Sequence, residues 1–218
     1  MTGAQRLAVT HGKARKDSAD AARRIPMVGD ARGRREKDDF YATPAWVTEL
    51  LIKAERESGH PLPFKIWEPA CGDGAIVKVL RAHGCDVAAT DLVDRGFPGA
   101  TVGFDFLWGS SHGLDAAVVT NPPFKLAEQF VQQWCTRLPA SPRLCLLLKL
   151  SFLQGASRTP WLFSETPLAR VHVIAKRITF DGKRADGTPY DSNFMDAFAW
   201  FVWDRSHRGA PILTGAWA

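Results

Sequence analysis

The stretch Ala116-Ala117-Val118-Val119-Thr120-Asn121-Pro122-Pro123-Phe124 is an apolar, partly β-branched run stopped by two consecutive prolines. Such a run, ending so abruptly, reads as a buried strand. Neither proline has an N–H to give to a sheet, and Pro123 pushes Pro122 towards an extended conformation. The backbone is therefore stiff just past the carboxyl end of a strand, which is where open α/β sheets hold their ligands. The groups presented there are the Asn121 amide, the carbonyls of a turn and the Phe124 ring.

That set suits an exocyclic amino group on a planar heterocycle. Such a nitrogen has its lone pair delocalised into the ring and is a poor nucleophile. The Asn121 side-chain oxygen and the Pro122 carbonyl supply two acceptors for its two protons, which draws it towards tetrahedral geometry. Phe124 supplies a face on which the ring can stack. Asn121-Pro122-Pro123-Phe124 resembles motif IV of the amino-methyltransferases that use S-adenosylmethionine (SAM), and its Asn…Phe form is most similar to that of DNA adenine-N6 methyltransferases. Taken alone, the four residues also fit a plain Pro-Pro turn with Phe124 in the core.

Two upstream segments extend the resemblance. Lys65–Ile76 (KIWEPACGDGAI) reads as strand, glycine-rich turn and helix, in which Gly72 and Gly74 allow a tight turn and close backbone approach to a ligand. It lacks the third glycine of a dinucleotide fingerprint, has Glu68-Pro69 before the turn, and resembles SAM motif I. The resemblance implies that Glu68 helps to hold the methionine ammonium and that Ala70, Gly72 and Gly74 approach the cofactor. Asp39–Pro44 (DFYATP) opens the globular part, with Thr43 as N-cap and Pro44 as first residue of a helix carrying Trp46, Leu50, Leu51 and Ala54 on one face. It is similar to motif X, Tyr-x-Thr-Pro, which implies that Tyr41 and Thr43 fold over the cofactor.

Downstream of motif I, a helix over 75–83 stops at His83-Gly84. Asp86–Asp91 is the second strand and ends in an acid, at a spacing from Gly72 that suits ribose hydroxyls. Val102–Leu107 resembles motif III. That likeness implies a contact from Asp105 to the adenine amino group of SAM and from Phe106 to the adenine ring, with an ordinary core position as the alternative for Phe106. Leu126–Leu138 reads as an amphipathic helix, and 144–150, 170–175 and 196–203 as strands five to seven. Ser151–Pro167 is either a wall of the acceptor pocket or a helix with a core face. Asp181–Asn193 is polar, with Lys183 and Arg184, and either touches nucleic-acid phosphate or is an exposed loop. It resembles the motif VIII region, which makes Phe180 the candidate to line a pocket for an extruded base.

At 218 residues and 45% hydrophobic, the chain supports one core and one domain. Residues 1–38 carry ten Lys/Arg against five Asp/Glu, so the whole formal charge of +5 sits in this segment and residues 39–218 are balanced. The segment has no aromatic residue or period and reads as disordered, either a cationic arm for a phosphate backbone or a solvated tail. Cys71, Cys85, Cys135 and Cys145 lie too far apart for a zinc site or disulfide frame, so no metal is expected. No membrane-length apolar run and no signal-peptide core are present, which suits a cytoplasmic protein of a bacterium or phage-infected cell.

Together these readings give an α/β three-layer αβα sandwich. By resemblance it is the Rossmann-like SAM-dependent methyltransferase fold, with a mostly parallel seven-stranded sheet whose last strand is antiparallel. The implied reaction is methyl transfer from SAM to N6 of an adenine extruded from DNA, by a monomer without a separate recognition domain, similar to small solitary phage enzymes. An RNA base, cytosine N4 and a protein glutamine are alternative acceptors for the same motif, and a non-catalytic DNA-binding or anti-restriction role is the alternative of another class.

Overall fold

A computed structural model describes residues 41–109, 115–180 and 196–216. The expectations for residues 1–38 and for Lys183 and Arg184 lie outside these. Eight strands form one sheet: β1 (Lys65–Glu68), β2 (Asp86–Asp91), β3 (Thr101–Val102), β4 (Ala117–Thr120), β5 (Arg143–Lys149), β6 (Leu168–Ile174), β7 (Phe198–Asp204) and β8 (Ile212–Ala216). Their order is β3-β2-β1-β4-β5-β7-β6-β8. Strands β1 to β5 are parallel, β7 runs antiparallel to β5 and β6, and β8 pairs parallel with β6. The strand order reverses between β1 and β4, which places a crevice at their carboxyl ends.

Alternation along buried strands feeds two cores at once. Phe198, Trp200 and Val202 of β7 join the same cluster as Cys145 and Leu147 of β5, whereas Ala199, Phe201 and Trp203 join Leu144, Leu146 and Leu148 in the other. Strands with both faces buried read as continuous apolar runs for this reason. Helices α1 (Ala45–Glu57) and α2 (Ala75–Ala82) cover the first face with Val47, Leu50, Leu51, Ile76, Val77 and Leu80. Helices α3 (Ala127–Arg137) and α4 (Arg158–Ser164) cover the second with Phe130, Val131, Trp134 and Leu162. Each fully buried indole finds an acceptor: Trp67 donates to Thr90 Oγ1 (3.0 Å), Trp134 to Ser141 Oγ (2.9 Å), Trp200 to the Val47 carbonyl (2.8 Å) and Trp203 to Thr166 Oγ1 (3.0 Å).

Three expectations change. The antiparallel strand is the seventh, but an eighth follows it; β8 is an edge strand with exposed Ile212 and Leu213, so it carries no buried-strand pattern to read. Where the numbering of later strands as five to seven implies a full strand at the motif III segment, Val102 alone of Val102–Leu107 lies in one, the two-residue β3. Thr43 does not cap α1, which begins at Ala45 with no side-chain cap, because its hydroxyl accepts a hydrogen bond from Asn121 instead. Ser151–Pro167 contains α4, whose Leu162 is fully buried. Among the described residues no helix is long and apolar enough to cross a membrane.

The sheet's amino-terminal end is held to α1 by a buried charge network. Glu55 Oε1 accepts from Arg170 Nε (2.6 Å) and pairs with His172 Nε2 (2.8 Å), while Oε2 accepts from Arg170 Nη2 (3.0 Å) and Arg143 Nη1 (2.9 Å). Both arginines also reach Asp204 Oδ2, at 3.1 Å from Arg143 Nη2 and 3.2 Å from Arg170 Nη2. Burial alone raises the Glu55 pKa, but the His172 and Arg170 hydrogen bonds outweigh it and leave the carboxyl below its ordinary value. Removing one partner of such a network leaves buried charge uncompensated. Arg170→Met is therefore expected to cost about 3–5 kcal/mol in a denaturant titration, far more than a substitution of an exposed arginine such as Arg208.

Candidate active site

Four loops converge at the carboxyl ends of β1, β2 and β4. Tyr41, Ala42 and Thr43 from before α1, Ala70, Cys71 and Asp73 from the turn after β1, Asp91 and Arg95 from the end of β2, and Asn121 and Pro123 after β4 line one cleft. It encloses about 490 Å³, solvent at its mouth included.

The glycine turn is built as its sequence demands. Gly72 has φ +56° and Gly74 φ +78°, the left-handed region in which a side chain is strained. Gly74 is doubly constrained, because a Cβ there would lie 2.4 Å from the Phe97 ring. Lys78 Nζ and the Arg81 guanidinium sit over that ring at 5.7 and 5.8 Å, so Phe97 is held against the turn. The Gly72 N–H donates to Asp91 Oδ2 (2.8 Å) and the Val93 N–H to Asp91 Oδ1 (2.8 Å). Asp91 thus joins the loops after β1 and β2, a structural duty that its spacing from Gly72 does not reveal.

Glu68 ends β1 fully buried. Its Oε1 accepts from the Ala70 N–H (3.3 Å), and its Oε2 has no partner. Burial drives its pKa up to about 8; the Thr120 hydroxyl and then the Ala70 amide oppose this, and the Asp91 charge adds to it. Cys71, in the cleft lining, is pushed up to about 12 by burial and by the Glu68 and Asp91 charges, so it is a thiol at neutral pH and not a nucleophile.

Asn121 is fixed from behind. Its Nδ2 donates to the Tyr41 carbonyl (3.2 Å) and to Thr43 Oγ1 (3.1 Å), while its Oδ1 is buried without a partner. Pro122 is buried, and the Pro123 carbonyl is taken by the Leu126 N–H (2.8 Å) as a short 3-10 turn begins at Phe124. The half-buried Phe124 ring lies near Tyr41 (6.0 Å between centroids, 19° between planes) and Phe198 (5.6 Å).

Tyr41, Thr43, Ala70, Asp91, Asn121 and Pro123 are thus brought to one cleft, with Glu68, Gly72, Gly74, Pro122 and Phe124 immediately behind or beside them. The motif III pair is not. Phe106 stacks on Phe130 (4.5 Å, 24°) and packs against Trp67 (5.2 Å) in the core, the alternative given for it above. The Asp105 carboxylate accepts from the Leu107 N–H (3.1 Å) outside the cleft lining. Phe180 is buried against Tyr41 (5.5 Å) and Phe198 (5.2 Å), where it backs the site's rings. Arg95 and Phe97 were not singled out from sequence; a single cation and a single ring in a loop carry no spacing signal. Among the described residues no cluster of three or more His, Cys, Asp or Glu is placed to hold a metal ion.

No protein-family model matches the chain, and no curated protein matches it in sequence. Solved structures do resemble it. One is a type I restriction-modification methyltransferase subunit from Streptococcus thermophilus, at TM-score 0.55 and 13% identity over 82% of this chain and 47% of that one. Another is a Pyrococcus horikoshii protein provisionally assigned as an RNA methyltransferase, at 0.54 and 12% over 75% and 85%. A third is magnesium protoporphyrin IX methyltransferase from Synechocystis PCC 6803, solved with bound SAM, at 0.50 and 13% over 74% and 79%. The chain spans about half of the restriction-modification subunit. These likenesses establish the fold as the Rossmann-like α/β sandwich of methyltransferases.

Two outcomes follow from this geometry. Because the folded protein holds a proton on Glu68 up to about pH 8 and the unfolded chain releases it near 4.5, stability falls as pH rises between those values. Glu68→Gln is expected to flatten that part of the pH profile of thermal stability and to exceed the wild type at pH 8. Gly74→Ala is expected to lose about 1–2 kcal/mol from backbone strain alone, and more from the Phe97 clash. Adding Phe97→Ala recovers the second part only, which a double-mutant cycle of unfolding free energies measures.

Proposed function

We propose that this chain transfers a methyl group from SAM to the N6 amino group of adenine in DNA, the acceptor base being extruded into the cleft at Asn121–Phe124. The observation that carries the reading is the Asn121 amide. Both its N–H groups are spent on Tyr41 and Thr43, and its oxygen is left buried without a donor. A buried acceptor with nothing to accept from is costly unless something supplies the donor. An exocyclic amino group does so.

The residues present fit the cofactor. Glu68 is a fully buried carboxyl with one unpartnered oxygen next to the glycine turn; burial holds a proton on it, and giving up that proton would supply the charge that pairs with an ammonium group. Asp91 keeps lone pairs for ribose hydroxyls after its two amide bonds, and Tyr41 and Thr43 close the same cleft. When bound, SAM supplies an electrophilic methyl carried on a sulfonium.

The protein's part is orientation. Asn121 Oδ1 and the Pro122 carbonyl accept the two amino protons and aim the nitrogen's lone pair; Phe124 stacks on the ring. Extruding a base costs a few kcal/mol, and stacking on an aromatic side chain recovers about 1–3 kcal/mol. Alignment of nitrogen, methyl and sulfur supplies much of the acceleration, and no covalent enzyme intermediate is required.

Asn121→Ala is expected, at saturating SAM, to methylate unmethylated DNA about 10²–10³ times more slowly. Radiolabelled SAM followed by nucleoside analysis reads both rate and product. N6-methyladenine in DNA is the expected product; N4-methylcytosine, label in RNA only, or full turnover by the variant each refutes the proposal.

A further inference from the structure

At and beyond the carboxyl ends of β1 and β2 stand Asp73 and Asp91 together with Arg95, a mixed set, while at and beyond the ends of β4, β5 and β6 stand Lys125, Lys149, Lys176 and Arg177. Lys149 is placed differently from the others in this second set. It is the last residue of β5, one-third exposed, with Nζ 2.7 Å from Asp196 Oδ2 and 5.8 Å from the Phe124 centroid, over the ring. An ammonium on that side of the ring and a base stacked on it compete for one space. A partly exposed lysine–carboxylate pair is a weak restraint, so it yields readily to another anion.

Resting on the nucleic-acid reading above, we infer that Lys149 is a positioning residue for the acceptor strand: its ammonium leaves Asp196 and the Phe124 face to hold a phosphate flanking the extruded nucleotide. Asp196 is its built-in competitor. In the absence of nucleic acid the carboxylate keeps the cation over Phe124; on binding, phosphate replaces carboxylate and the ring is cleared. The exposed Lys125 follows β4, beside β5 in the sheet, and the exposed Lys176 and Arg177 follow β6, one strand further on across β7. Lysine contributes here as a point charge, and each phosphate it neutralises releases counterion from the strand.

The test is binding of a labelled single-stranded, adenine-containing DNA oligonucleotide between 50 and 200 mM salt. It compares the full-length wild type with Lys149→Gln, Lys149→Arg and Asp196→Asn, with thermal midpoints taken alongside. Lys149→Gln is expected to bind about tenfold more weakly at low salt, with the slope of log affinity against log salt reduced by about 0.7 and an unchanged SAM affinity. Lys149→Arg keeps the slope. Asp196→Asn binds more tightly than the wild type, because the competing carboxylate is gone. A merely structural ion pair predicts the reverse for Asp196→Asn, a loss matching that of Lys149→Gln, and that result overturns the inference. So does an unaltered slope in Lys149→Gln while the wild type still binds and methylates DNA, an outcome that leaves the proposed reaction standing. A wild type that binds neither DNA nor the equivalent RNA overturns both.

Discussion

Two hydrogen bonds from one amide decide the shape of the site. Asn121 Nδ2 donates to the Tyr41 carbonyl and to Thr43 Oγ1, joining segments 80 and 78 residues apart. Without them the Asn121 side chain is free to turn. With them the amide has one orientation, and its oxygen is the only part left for chemistry. The stiff Pro122-Pro123 pair behind it fixes the backbone in the same way, so side chain and main chain are positioned before any ligand arrives. A preorganised acceptor needs no reorganisation at the moment of reaction, which is why such groups are worth more in a dry cleft than in water.

The two ends of the sheet use buried polarity in opposite ways. At the amino-terminal end, both Glu55 oxygens are fully engaged by Arg170, Arg143 and His172, and Asp204 completes the network. Every charge there is compensated, and its effect is to fasten α1 to β5, β6 and β7. At the carboxyl end, Glu68 Oε2 and Asn121 Oδ1 are both buried and unpartnered. In the first arrangement mutual attraction offsets the desolvation of each charge. The second leaves desolvation uncompensated, and where such groups meet in a cleft they mark a candidate ligand site.

How much of this was legible in the sequence follows from the range of each interaction. The continuous apolar runs of β4, β5 and β7 and the apolar faces of α1, α2 and α3 are local patterns, and they place the sandwich correctly. Glu68, Gly72, Gly74 and Asn121 sit at strand ends marked by glycine or proline, so their convergence can be read from chain order alone. The Glu55 network cannot. Its members are single charged residues on separate elements, with His172 117 positions from Glu55, and no spacing connects them. Thr43 shows the opposite failure. A local rule, threonine before proline as a helix cap, loses to a partner 78 residues away, because the buried Asn121 amide has a donor to place and the helix end can do without one. Phe106 fails likewise: beside Asp105 it looks adapted to a purine, yet Phe130 and Trp67 offer it a fully dry packing site.

The division of the carboxyl rim links fold to chemistry more closely than any single residue does. SAM carries a sulfonium beside a zwitterionic amino-acid end and is cationic overall, whereas the nucleic-acid strand proposed as acceptor is a polyanion. One uniformly charged cleft would attract one of them and repel the other. The reversal of strand order between β1 and β4 sets two groups of strand ends apart in space: those of β1 and β2 carry Asp73 and Asp91 beside Arg95, and those of β4, β5 and β6 carry Lys125, Lys149, Lys176 and Arg177. Asn121 stands at that boundary, uncharged, with an oxygen that serves an amino group equally well beside either half.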